Sequence, residues 1–139
     1  MAKIMVVDDE EDIVQVVSIT LEARGHDVET AYNGKECLAK LKKSVPDLIV
    51  LDVMMPKMNG MQVVDALRNN DKYNRIPIIM LTAATQFARK PDEYWRDKVG
   101  VEDYITKPFE PIDLLKRVDR ILSESERSEE DGQSRFKIH

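Results

Sequence analysis

Asp47-Leu48-Ile49-Val50-Leu51-Asp52-Val53-Met54-Met55-Pro56-Lys57-Met58-Asn59-Gly60 sets the frame for everything around it. Four consecutive apolar residues, Leu48 to Leu51, end abruptly in a carboxylate at Asp52. Pro56 and the Asn59-Gly60 pair then intervene before the next amphipathic run. This reads as a parallel strand buried on both faces that delivers one acid to a loop at its C-terminal end. An ionised carboxylate at the end of a buried strand is costly unless something pairs with it. Function therefore turns on what Asp52 meets at the ends of the other strands.

Working outward, Ile4-Met5-Val6-Val7 is a second apolar run, and it too stops at acids, Asp8-Asp9-Glu10-Glu11-Asp12. A helix follows with Ile13, Val16, Val17, Thr20 and Leu21 as its expected apolar face and Gly25 placed to end it. Asp27 to Ala31 offers only Val28, Thr30 and Ala31 as strand residues, which suits an edge. Asn33-Gly34 then opens a helix carrying Cys37, Leu38 and Leu41. After the central strand, Asn59 is the expected N-cap of a helix bearing Met61, Val64 and Leu67. Ile76 to Leu81 is a fourth strand, with Pro77 near its start where a strand tolerates it and Thr82 at its end. Pro91 or Asp92 begins an expected helix reaching Gly100, with Phe87, Tyr94 and Trp95 read as packing residues. Asp103 to Thr106 is a short strand ending at Lys107-Pro108. The last helix starts near Pro111 and carries Leu114, Leu115, Val118, Ile121 and Leu122.

Strands and helices alternate five times, the signature of an α/β, doubly wound, five-stranded parallel sheet with helices on both faces. The first, third and fourth strands are continuously apolar and the second and fifth are not. Central strands are buried on both faces, so the pattern predicts the flavodoxin-like order 2-1-3-4-5. Residues 1–122 form the expected domain, and 123–139 a charged tail that either prolongs the last helix or is disordered.

The chain has 139 residues, a net charge of −5 and a single cysteine. That is the size of one domain, and no internal disulfide can form. Cys37 is expected to be a half-buried packing residue, and His26 and His139 surface positions. No signal peptide or membrane span is expected, so the reading is a soluble, reduced, cytoplasmic protein. Lys and Arg are interspersed with acids, so no direct nucleic-acid binding is expected.

In a sheet of this order, ligands bind at the C-terminal strand ends between strands one and three, where Asp8, Asp9 and Asp52 would converge. Two like charges ~4 Å apart repel by about 4 kcal/mol at an effective dielectric of about 20. The three carboxylates therefore take up protons or hold a cation. An all-oxygen set with room for water and a phosphate oxygen suits Mg²⁺ better than Ca²⁺. Thr82 brings a hydroxyl and Lys107 an ammonium to the same rim. Together they describe a cradle for a phosphoryl group, with the Asp52 carboxylate as its candidate nucleophile. Taken singly, each acid is most simply a cap or turn residue, Lys107 a solvated lysine and Thr82 a capping hydroxyl. Their joint occurrence at successive strand ends is not explained that way.

Asp8-Asp9, the Asp52 segment through Gly60, Thr82 in Met-Leu-Thr-Ala, and Tyr104-Ile-Thr-Lys107-Pro108-Phe109 resemble the signatures of the response-regulator receiver domain of two-component signalling. The resemblance covers about Lys3 to Leu122. It implies that Asp52 accepts a phosphoryl group from a sensor histidine kinase, with Mg²⁺ held by Asp9 directly, Asp8 largely through water, Asp52 and the Met54 backbone carbonyl. It implies further that Lys107 pairs with the phosphate, that Lys107-Pro108 is cis, and that Thr82 and Tyr104 form a switch pair. The segment between Thr82 and Lys107 is longer than the family pattern, with the excess around Phe87 to Trp95. Met54 and Ala84 occupy the two positions that tune dephosphorylation in the family. Neither side chain can orient or deprotonate water, so slow self-dephosphorylation is expected.

On this reading the protein is no turnover enzyme and catalyses only its own phosphorylation and dephosphorylation. Its partners would be the kinase and either a downstream protein or an output domain outside this sequence, with phosphorylation-dependent homodimerisation left open. The expected partner surface is the fourth helix, the one beginning at Pro91 or Asp92, with the fifth strand and the last helix, because Thr82 and Tyr104 flank it. Two alternatives stand beside it. One is a Mg²⁺-dependent phosphatase with an aspartyl nucleophile, which generally needs a second acid two residues on, where this chain has Met54. The other is an adaptor that works without phosphorylation.

Overall fold

The computed structural model describes residues 2–83, 94 and 99–138, with side chains as far as Ser125. In chain order the elements are β1 (Lys3–Val7), α1 (Glu11–Ala23), β2 (Asp27–Ala31), α2 (Gly34–Leu41), β3 (Leu48–Asp52), α3 (Gly60–Arg68), β4 (Ile78–Thr82), β5 (Asp103–Thr106) and α4 (Pro111–Ile138). The helix expected from Pro91 or Asp92, together with Ala84, Phe87 and Trp95, lies outside the described residues. Tyr94 is described, and it packs against the apolar core.

All four strand pairings are parallel and the order is β2-β1-β3-β4-β5, as the burial pattern of the sequence predicts. Every residue of β3 and β4 is buried, whereas β2 and β5 are mostly half-exposed edges. Alternation along each strand sorts the core into two layers, because successive side chains point to opposite faces. Met5, Val7, Ile49, Leu51, Ile78 and Met80 pack under α2 and α3. Ile4, Val6, Leu48, Val50, Ile79 and Leu81 pack under α1 and α4.

Helix starts follow local chemistry. Asn33 accepts a hydrogen bond from the Glu36 N–H at 2.8 Å. Asn59 and Gln62 form a reciprocal capping box with both bonds at 3.0 Å, which satisfies two N–H groups the helix cannot. Gly25, at φ +87°, carries the chain out of α1 in the left-handed region that glycine adopts without strain.

At the opposite end of the sheet from the strand-end acids, Arg68 ties together the entries to β4 and β5. Its guanidinium donates to the carbonyls of Gly100 (2.8 Å), Asn74 (3.0 Å) and Ile76 (2.9 Å), and to Glu102 (3.1 Å). Glu102 in turn accepts the Ile78 N–H at 2.8 Å. Burial holds the Glu102 carboxyl above its ordinary pKa despite these partners.

Three sequence expectations need correction. The buried stripe of α1 is Val14, Val17, Ser18 and Leu21, while Val16 is 47 % exposed and Thr20 only half-buried. This helix carries more apolar residues than one face can bury, and the buried face takes in Ser18 while leaving Val16 and Ile19 exposed. Cys37 is fully rather than half buried, and burial pushes its thiol up to about 12. His26 is half-buried rather than a free surface residue, with Nδ1 accepting the Ala2 N–H at 3.2 Å.

Candidate functional site

Strand register brings the site together. Val7 pairs with Leu51 across β1 and β3, so the next residues, Asp8 and Asp52, emerge side by side at the C-terminal edge. Thr82 ends β4 beside β3, and the Lys107 N–H donates to the Thr82 carbonyl at 2.7 Å, which seats Lys107 on the same rim. The Lys107-Pro108 bond is cis.

The acids converge as their places at the strand ends require. One carboxylate oxygen each from Asp8, Asp9 and Asp52 lies within 4.8 Å of the others. Asp8 and Asp52 are buried and Asp9 is exposed. Lys107 reaches into this group, its Nζ standing 2.7 Å from Asp8 Oδ2, 3.4 Å from Asp52 Oδ1 and 3.9 Å from Glu10 Oε1. The Glu10 N–H also donates to Asp8 Oδ1 at 2.9 Å. Glu10 was not singled out from the sequence, although its place in the acidic run after β1 is the signal that finds it.

One ammonium does not balance this cluster. Burial, reinforced by the Asp8 charge, raises the Asp52 carboxyl to about 7, against the opposing pull of Lys107 and a hydrogen bond from the Met54 backbone. Burial works against the Lys107 charge, but the Asp8 hydrogen bond and the surrounding carboxylates outweigh it and raise its pKa. Thr82 Oγ1 is buried with no hydrogen-bond partner among the described residues. A buried hydroxyl without a partner is normally costly. The excess negative charge and the all-oxygen donor set fit a hard divalent cation such as Mg²⁺.

Met54, two residues after Asp52, is 59 % exposed. Tyr104, on β5, is half-buried and packs against the core layer beneath α2 and α3. Its carbonyl accepts from Arg117 at 3.0 Å, and the same nitrogen of Arg117 donates to Asp103 Oδ1 at 2.8 Å. Arg120 meets Asp103 Oδ2 at 2.6 Å. The sequence reading missed this Asp103–Arg117–Arg120 cluster. Its only signal was a pair of cations at i, i+3 on the last helix.

Comparison with known proteins agrees with this geometry. The family model of the response regulator receiver domain matches residues 4–119. The alkaline phosphatase synthesis transcriptional regulatory protein PhoP of Bacillus subtilis is 47 % identical over 129 residues, covering 89 % of this chain and 50 % of the relative. The DNA-binding dual master transcriptional regulator RpaA of Synechocystis is 39 % identical, covering 91 % and 52 %. Thus the chain spans about half the length of the curated relatives it matches. Among solved structures, chemotaxis protein CheY4 of Vibrio cholerae superposes with a TM-score of 0.77 at 42 % identity, covering 86 % of this chain and 98 % of that one.

Proposed function

Because this chain belongs to the response regulator receiver domain family of two-component signalling, we propose that it is a phospho-accepting switch whose acceptor is Asp52. The observation that carries the proposal is the buried Asp52 carboxylate gathered with Asp8 and Lys107, with Thr82 ending the neighbouring strand at the same sheet edge. In the reaction, an Asp52 Oδ attacks the phosphorus of a phosphohistidine on a sensor kinase. The P–N bond breaks, and its electron pair returns to the imidazole nitrogen. Lys107 and Thr82 donate to the phosphoryl oxygens, where charge accumulates in the transition state. Asp8, Asp9, Asp52 and the Met54 carbonyl would hold Mg²⁺, which supplies charge neutralisation for the incoming phosphoryl group.

Partner binding is the output. Thr82 engages the new phosphoryl group and Tyr104 responds, changing the surface formed by β5 and α4. A groove of about 610 Å³ lies there, lined in part by Tyr104, Phe109, Asp113 and Arg117. The receiving protein is either a separate chain or an output domain like those of the transcriptional relatives. We place the protein in the cytoplasm as a signalling module without substrate turnover. No helix among the described residues is long and apolar enough to cross a membrane.

Incubation with Mg²⁺ and acetyl phosphate tests the assignment. Wild type should gain one phosphate and Asp52→Ala none, with no multiple turnover of a simple phosphomonoester. Equal labelling of the two proteins would overturn it.

A further inference from the structure

Two glycines stand against the loop that carries Met54, and neither is required by backbone conformation. The positive-φ glycines among the described residues are Gly25 and Gly100, so Gly34 and Gly60 have backbones that any residue could adopt. What they lack is room. A Cβ on Gly34 would stand 2.7 Å from Met58 Cγ and 2.8 Å from both the Met58 carbonyl oxygen and Val63 Cγ2. A Cβ on Gly60 would press into the Asp52 carbonyl and lie 2.9 Å from Val53 Cα. Carbon atoms do not pack that closely, so something must shift in either case.

The loop between these contacts is short and closed on itself. The Gly60 N–H donates to the Val53 carbonyl at 2.8 Å and the Met58 N–H to the Pro56 carbonyl at 2.7 Å. Lys57, between Pro56 and Met58, has φ +68°, a conformation costly for a residue with a side chain. Such a loop keeps its shape when its surroundings over-determine it. Gly34, the first residue of α2, supplies part of that constraint from a separate element, itself fixed by the Asn33 cap.

We propose that Gly34 is a positioning residue for the metal and phosphoryl site. By presenting bare backbone it lets the start of α2 back directly onto Met58, and so fixes the loop that carries Met54, whose backbone already donates to Asp52. The inference rests on the proposed role of the Met54 carbonyl in holding Mg²⁺. It adds a part of the molecule, the N-terminus of α2, that touches neither the acids nor the phosphoryl group.

Mg²⁺ titration by calorimetry, without phosphodonor, tests it on wild type, Gly34→Ala, Met58→Ala and Leu41→Val. Gly34→Ala crowds the contact, and Met58→Ala empties it without adding an atom, which keeps the test open if the first variant fails to fold. Both should bind Mg²⁺ about tenfold more weakly, as expected when contacts that orient ligands are lost. Leu41→Val loosens the buried far end of α2 and should lower the melting temperature while keeping wild-type affinity. Either folded loop variant at wild-type affinity, or an equal loss in Leu41→Val, would overturn the inference while leaving the proposed function standing. A wild-type chain with no Mg²⁺ affinity would instead remove the role of the carbonyl on which it rests.

Discussion

Lys107 Nζ stands closer to Asp8, at 2.7 Å, than to Asp52, at 3.4 Å. The lysine therefore compensates the more deeply buried acid first, and Asp52, the proposed acceptor, is left with the weaker share of its charge. Lys107→Ala should leave two buried carboxylates facing each other without a cation. Removing one partner from a largely buried pair costs about 3–5 kcal/mol, reduced here to about 1–3 kcal/mol because Mg²⁺-free protein can protonate Asp52. Chemical denaturation at pH 8 with EDTA should show that loss, and saturating Mg²⁺ should recover much of it. A variant as stable as wild type in EDTA would show that Lys107 does not hold the cluster together.

The raised Asp52 pKa gives a pH dependence with a definite sign. Its folded value of about 7 lies above the unfolded value near 3.8, so the folded chain keeps a proton over an interval in which the unfolded chain has lost it. Stability from this group is fully present below about 3.8 and is lost as pH rises through about 7. Metal-free protein should accordingly lose stability from about pH 4 to about pH 7 and level off by about pH 8, whereas Asp52→Asn should lack this loss and be more stable than wild type at pH 8 by at least on the order of 1 kcal/mol. Mg²⁺ affinity should fall as pH drops through the same window, because protons and the cation compete for Asp52. Melting curves and Mg²⁺ titrations across this range check both halves.

Lifetime of the phosphorylated state follows from the mouth of the site. The exposed Met54 side chain cannot align water opposite the leaving carboxylate, nor can the side chain of Ala84, so decay should be slow. Met54→Asn combined with Ala84→Glu should speed dephosphorylation by up to about 100-fold, the low end of the range for a positioned general base. Decay of labelled protein in Mg²⁺ gives the comparison, and equal rates would show that these positions do not set the lifetime.

Arg68 should matter to folding rather than to chemistry. Arg68→Ala would leave the Gly100, Asn74 and Ile76 carbonyls and the exposed Glu102 without their shared donor. A loss of about 2–3 kcal/mol is expected from unsatisfied groups of this kind. Urea melts would measure it, and Asp52 labelling at a temperature where the variant is folded should be unchanged.

Much of this architecture is legible because burial on two faces leaves an unmistakable trace. The unbroken Leu48–Leu51 run marks the central strand, and the mixed Asp27–Ala31 run marks an edge. Asp8, Asp52, Thr82 and Lys107 are legible for the same reason, since each directly follows or ends a strand. Residues that act across the fold are not. The Arg68 clamp joins α3 to the entries of β4 and β5 through backbone carbonyls, which have no sequence identity. The α1 stripe slipped because apolar residues surround that helix, so periodicity could not choose between Val16 and Val14. Gly34 reads as helix-start chemistry beside Asn33, and only the distance to Met58 shows that it is a matter of space.

The length of α4 changes what a small movement near the acids can accomplish. Among its described side chains, those as far as Ser125, the buried ones run from Leu114 to Ile121, while its backbone stays helical to Ile138. At 1.5 Å per residue, the part beyond Leu122 reaches about 24 Å further. A tilt of about 5° at the anchored half would sweep the far end through roughly 2 Å, provided the helix moves as a rigid rod. Arg117 grips the carbonyl of Tyr104 near the fulcrum. Were the edge strand to shift, a helix of this length would carry the displacement outward as a lever arm does, enlarged at its far end.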